Sequence, residues 1–157
     1  MQGETLTTST TARRLAAVAL IAATLGSLAA VPATAASRPH RPDVQISRVQ
    51  YDSPGRDDRS NRSLNGEWVQ ITNNTRRAIN LDGWTLSDRD HHTYRFHHYR
   101  LARRATVRVH TGIGRDVRTD LYQDRRAYVW NNDTDTATLR NQRGRTVDSI
   151  SWGHRHR

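Results

Sequence analysis

Two neighbouring pieces of the chain decide the fold: Glu67-Trp68-Val69-Gln70-Ile71-Thr72-Asn73 and Asn80-Leu81-Asp82-Gly83-Trp84-Thr85-Leu86-Ser87-Asp88. Val69 and Ile71 share one face of a period-two pattern, which is the signature of a strand with one side buried. Ile79 and Leu81 lead into Trp84 and Leu86 with the same period. Gly83 permits a tight turn just before Trp84, so the indole enters a strand and plugs an interior. Neither piece carries apolar residues at the helical spacing of 3.6.

The same pattern extends outward in both directions. Val44 and Ile46, then Val49 and Tyr51, alternate with one slip that predicts a bulge near Ser47. Tyr94 and Phe96 oppose Arg95 and His97, while Val107 and Val109 point inward and put Arg108 and His110 outside. Tyr128 to Trp130, Ala137 with Leu139, and Val147 to Trp152 complete the set. About eight or nine short strands, mostly antiparallel, predict an all-β sandwich of immunoglobulin-like size, with a closed barrel as the structural alternative. Two long connections stand out. Asp52 to Gly66 holds Pro54-Gly55 and Asn65-Gly66 with Leu64 as its one apolar residue, and is expected to be an exposed excursion. Thr111 to Gln123 is the second.

Before the strands begin, the chain has a different character. Arg13 and Arg14 precede an apolar run from Leu15 to Val31, Pro32 breaks it, and Ala33-Thr34-Ala35 supplies the small side chains of a cleavage site. Residues 1–36 are therefore expected to be a signal peptide, residues 37–42 a proline-rich linker, residues 43–153 the domain, and residues 154–157 a basic tail. As a membrane anchor the run falls short of the roughly 20 strongly apolar residues that span a bilayer. The paired arginines raise the twin-arginine route, but Leu15-Ala16-Ala17 fits general secretion better. Secretion is the expected destination, with no stable membrane span after cleavage.

Without the leader, 23 arginines face 14 acids; there is no lysine and no cysteine. Thiol chemistry is excluded, and a surface this basic attracts polyanions.

A third piece extends the pattern: Val129-Trp130-Asn131-Asn132-Asp133-Thr134-Asp135-Thr136-Ala137-Thr138-Leu139. Taken with the first two, it resembles the lamin tail domain family, immunoglobulin-like sandwiches found in nuclear lamins and in many secreted bacterial proteins. The residues that carry the resemblance are Trp68, Gly83, Trp84, Trp130, Asn131, Asn132 and Asp135, and it covers about Asp43 to Trp152. It implies a binding and structural module without an activity of its own, of a kind that often accompanies hydrolase or nuclease domains. Two positions depart from the family pattern. Thr134 stands where a turn glycine is usual, and Arg103-Arg104 replaces a Pro-Gly-like pair.

Catalytic signals are sparse. Glu67 is the single glutamate after the leader, which rules out a paired-glutamate glycosidase, and no nucleophile elbow, phosphate loop or His-Glu-x-x-His helix occurs. No cofactor is expected. Asp133 and Asp135, or Asp88 and Asp90, are weak candidates for calcium, since alternate acids on a loop can converge their oxygens. A metal-dependent nuclease built from His92, Asn131 and Asp133 ranks last. The binding candidates are Arg100, Arg103, Arg104 and Arg108 around one strand, with Arg125 and Arg126 ahead of another and Tyr99 and Tyr128 beside them. Expected partners are an extracellular protein or an acidic cell-surface polymer. Nucleic acid is the alternative, through phosphate contacts and base stacking.

Overall fold

The computed structural model describes residues 41–153, so the expected leader 1–36, the first four linker residues and the basic tail 154–157 lie outside the described residues. Within them the elements are β1 (Val44–Gln50), α1 (Asn61–Leu64), β2 (Trp68–Asn73), β3 (Ile79–Asn80), β4 (Thr85–Ser87), β5 (Thr93–Arg95), β6 (Arg100–Leu101), β7 (Thr106–His110), β8 (Asp120–Tyr122), β9 (Thr134–Arg140) and β10 (Thr146–Gly153). One sheet runs β1-β2-β7-β8, the second β10-β9-β4-β5, and β3 pairs with β6. This is the all-β, immunoglobulin-like sandwich that the alternation predicts, and the sheets do not close into a barrel.

Alternation places the core. Val69, Ile71, Val107 and Val109 are fully buried on the inner face of the first sheet and meet Leu86, Ala137 and Leu139 of the second. Trp84, Phe96 and Trp130 fill the space between. The β1 register slips between Ile46 and Arg48, leaving Ser47 as the bulged residue. A matching slip lies between Thr146 and Asp148 on β10. The Ile46 N–H donates to Asp148 Oδ2 at 2.8 Å, so a carboxylate joins the two sheets along this edge.

Three expectations change and one is refined. Among the described residues ten strands form, since β3 and β6 are two-residue pieces too short to show a period. Tyr128 to Trp130 is not a strand, because the Val129 N–H donates to Glu67 Oε2 at 3.1 Å and not to a neighbouring backbone. Asp52 to Gly66 is exposed over residues 54–62, as expected, but it is pinned to the domain at Ser53 and by a short helix. Ser60 caps α1 by accepting from the Ser63 N–H, Leu64 is buried, and Ser53 Oγ donates to the Ser63 carbonyl at 2.6 Å. The connection from Thr111 to Gln123 contains β8, which runs parallel to β7.

Both family departures have local explanations. The Ala105 N–H donates to the Ala102 carbonyl across Arg103-Arg104, and Arg104 occupies the left-handed region at φ +55°, the place a glycine would fill without strain. Thr134 begins β9 as an ordinary strand residue, opposite Gly153 at φ +101°, where an added Cβ would sit 2.2 Å from the Asp133 carbonyl oxygen. At this end of the sandwich the glycine stands on the partner strand.

Candidate anion-binding surface

On β2 the residues that alternate with the core set are Trp68, Gln70 and Thr72, and they lie on the outer face of the first sheet. Pairing fixes their neighbours. Gln70 stands between Arg48 of β1 and Arg108 of β7, and Trp68 between Gln50 and His110. Both arginines are exposed, and both guanidinium groups stack on the Trp68 ring, Arg108 at 4.5 Å from its centroid and Arg48 at 5.6 Å.

The ground between them is neutral and internally bonded. Gln70 Nε2 donates to Ser47 Oγ at 2.9 Å, Thr72 Oγ1 to the same oxygen at 2.8 Å, and Thr72 meets Thr106 Oγ1 at 3.1 Å. The bulge turns Ser47 onto this face. At its far side His110 stacks on Tyr122, with ring centroids 5.1 Å apart, and contacts Asp120 at 2.9 Å. Partial burial works to raise the Asp120 carboxyl, but hydrogen bonds from Thr119 and His110 and the charge of Arg108 hold it below the usual range.

Thr106 lies two residues from Arg108 on the same face and lines a cavity of about 350 Å³ with Tyr99, Arg100, Ala102, Ala105, Arg118 and Thr119. The Tyr99 hydroxyl donates to the Arg118 carbonyl at 2.7 Å. The adjoining Arg103-Arg104 turn is anchored from below by buried Asn73. Its Nδ2 donates to the carbonyls of Arg77, Leu101 and Ala102, and its Oδ1 accepts from the Thr75 N–H and hydroxyl.

The expected arginines therefore separate. Arg100 and Arg108 border the outer face of the first sheet, with Arg103 and Arg104 on the neighbouring turn. Arg125 and Arg126 line a different cavity of about 330 Å³ with His92, Ala127 and Tyr128, and Arg125 Nη2 donates to the Thr93 carbonyl of the second sheet. Tyr128 offers no free phenol, because its oxygen bonds to Ser63 Oγ at 2.7 Å and takes the Arg59 N–H at 3.3 Å. Sequence reasoning missed Arg48, Arg118 and the outward position of Trp68. The alternation of Trp68 against buried Val69 is the signal that reveals the last of these. Among the described residues no arginine forms an ion pair with a carboxylate; the two ion pairs are His92–Asp88 and His110–Asp120.

Two of the four acidic candidates, Asp135 and Asp88, serve the fold, while Asp133 and Asp90 are exposed. Asp135 is buried and accepts from the N–H groups of Arg89, Asn131 and Thr136, while Asn131 Oδ1 takes the N–H groups of Asp133 and Thr134 to close a polar turn. Asn132 Nδ2 reaches Asp52 Oδ1 at 3.3 Å. Asp88 is buried under His92. Among the described residues no three His, Asp or Glu side chains are grouped to hold a metal ion. Glu67, 1% exposed, is pushed up to about 7 by burial, against the pull of the Val129 N–H, the Thr111 hydroxyl and the Trp130 N–H.

The family model described as Lamin Tail Domain matches residues 37–154. No curated protein matches the chain.

Proposed function

Because this chain belongs to the lamin tail domain family, a family of binding and structural immunoglobulin-like modules, we propose that it is an exported, non-catalytic module that binds an acidic polymer of the cell surface. The observation that carries this reading is the state of its arginines. None of the arginines among the described residues is ion-paired with a carboxylate, and two of them are held out to solvent on an indole. Guanidinium groups held this way are free to fork onto phosphate or carboxylate oxygens.

Export supports an envelope polymer over genomic DNA, and it rests on the run from Arg13 to Ala36. Expression in a secreting host with N-terminal sequencing of the product tests it, with a start near Ser37 expected. The binding itself is tested by retention of the protein on cell-envelope material across a salt gradient. Retention that falls as salt rises supports the reading, and no retention at low salt rejects it. Metal-dependent hydrolysis of DNA, RNA or glycans, lost in Asp133→Ala, would overturn the non-catalytic assignment.

A further inference from the structure

We propose that Arg48, Trp68 and Arg108 form a two-guanidinium clamp for a ring-free polyol phosphate chain, which continues across Thr106 towards Arg100 and Arg118. This rests on the polyanion reading above and gives that reading a place and a ligand chemistry.

Geometry supplies the argument. Arg48 and Arg108 are each one strand from Gln70, with backbones about 10 Å apart, and both side chains reach to the Trp68 ring, so the two cations are separated by the neutral indole. Two cations separated by neutral ground suit a chain whose charges are separated by neutral links. Gln70, Thr72 and Ser47 already bond to one another, so nothing acidic or unsatisfied stands between the clamps to repel an anion. The nearest acid on the face, Asp120, stands opposite Arg108 on β8, outside the space between the two clamp arginines, and is engaged by His110 and Thr119.

The aromatic groups decide between classes of polyanion. Bases and sugar rings gain affinity by stacking on an open aromatic face. Here two guanidinium groups already occupy the Trp68 ring, and Tyr122 is stacked on His110. The aromatic surface is used to seat the cations. A ligand that needs only phosphate oxygens loses nothing by this, because each planar guanidinium still presents its outer edge for a bidentate contact.

The second sheet contains a matched control. Arg95 of β5 and Arg140 of β9 flank Thr85 of β4 as Arg48 and Arg108 flank Gln70, with the same two-strand spacing. Among the described residues no arginine–aromatic stacking is found there.

The experiment titrates the chain from Ser37 onward with a glycerol phosphate polymer of defined length, over a range of salt. Arg48→Gln with Arg108→Gln is expected to weaken binding at least about tenfold and to lower the salt dependence by between one and two in log–log slope. Arg95→Gln with Arg140→Gln removes the same charge and is expected to leave affinity within about twofold. Trp68→Ala keeps the charge and is expected to weaken binding several-fold, since the guanidinium groups lose their seat; circular dichroism checks its fold, and Trp68→Leu replaces it if the alanine variant fails to fold. Equal losses in the two arginine pairs would overturn the clamp while sparing polyanion binding in general. Tighter binding of single-stranded DNA or of polygalacturonate than of the polyol phosphate would overturn the ligand assignment. Absence of binding to all three polymers would overturn the clamp and the proposed function together.

Discussion

Replacing Glu67 by Gln should stabilise the domain at alkaline pH and do little at acid pH. The carboxyl is buried and its pKa is raised from 4.5 to about 7, chiefly because burial disfavours the charged form. The unfolded chain releases this proton near 4.5 and the folded chain near 7. Between those values the folded state binds more protons than the unfolded state, so stability falls as pH rises, and the full penalty is present above 7. At about 1.4 kcal/mol per pH unit the penalty comes to about 3 kcal/mol. Glutamine keeps an oxygen for the Val129 N–H and carries no charge that burial must desolvate. Urea unfolding of both proteins from pH 4 to 8.5 reads the effect as a difference, which cancels every other titrating group. The advantage of Glu67→Gln should be near zero at pH 4 and reach about 2–3 kcal/mol at pH 8.5. A difference that stays flat with pH, or that favours glutamate above pH 7, would refute the assignment of a buried carboxyl held neutral.

Three further substitutions probe the turns and the polar anchor. Arg104→Gly relieves a left-handed residue at φ +55° and should raise stability by about 0.5–1 kcal/mol, seen as a rise in Tm. Asn73→Leu leaves three carbonyls without their shared donor and should cost about 3 kcal/mol or more in denaturant unfolding. Gly153→Ala drives a Cβ to 2.2 Å from the Asp133 carbonyl oxygen, which the backbone must move to avoid, and should cost about 2 kcal/mol or more by thermal melting.

What the sequence made legible follows from how local each interaction is. Val69 with Ile71, and Val107 with Val109, betray their strands because one buried face imposes a period of two. The slip at Ser47 was visible for the same reason, since a bulge breaks that period. Tyr128 to Trp130 has the composition of a strand and is not one, because its backbone is satisfied by a carboxylate 62 residues away. Nothing local signals such a bond. The arginines separate into two surroundings for a similar reason. Arg108 and Arg125, 17 residues apart, lie in different surroundings, while Arg48 and Arg108, 60 apart, meet over one indole because β2 runs between β1 and β7.

The two outer faces of the sandwich meet the same folding requirement with different residues, and that difference locates the freedom that function can use. On the second sheet the pairing aligns Thr93, Ser87, Thr138 and Ser149 as a row of hydroxyls across all four strands. Such residues suffice to keep a sheet face wet and its inner face dry. The first sheet instead carries a partly buried tryptophan under two guanidinium groups, although neither core packing nor the backbone ladder needs an indole there. An exposed cation–aromatic contact contributes about 0.5–1 kcal/mol, so Trp68→Ala should cost stability on that modest scale while its effect on polyanion affinity is larger. A fall in stability of the size seen for core residues, with affinity unchanged, would instead assign Trp68 to the fold.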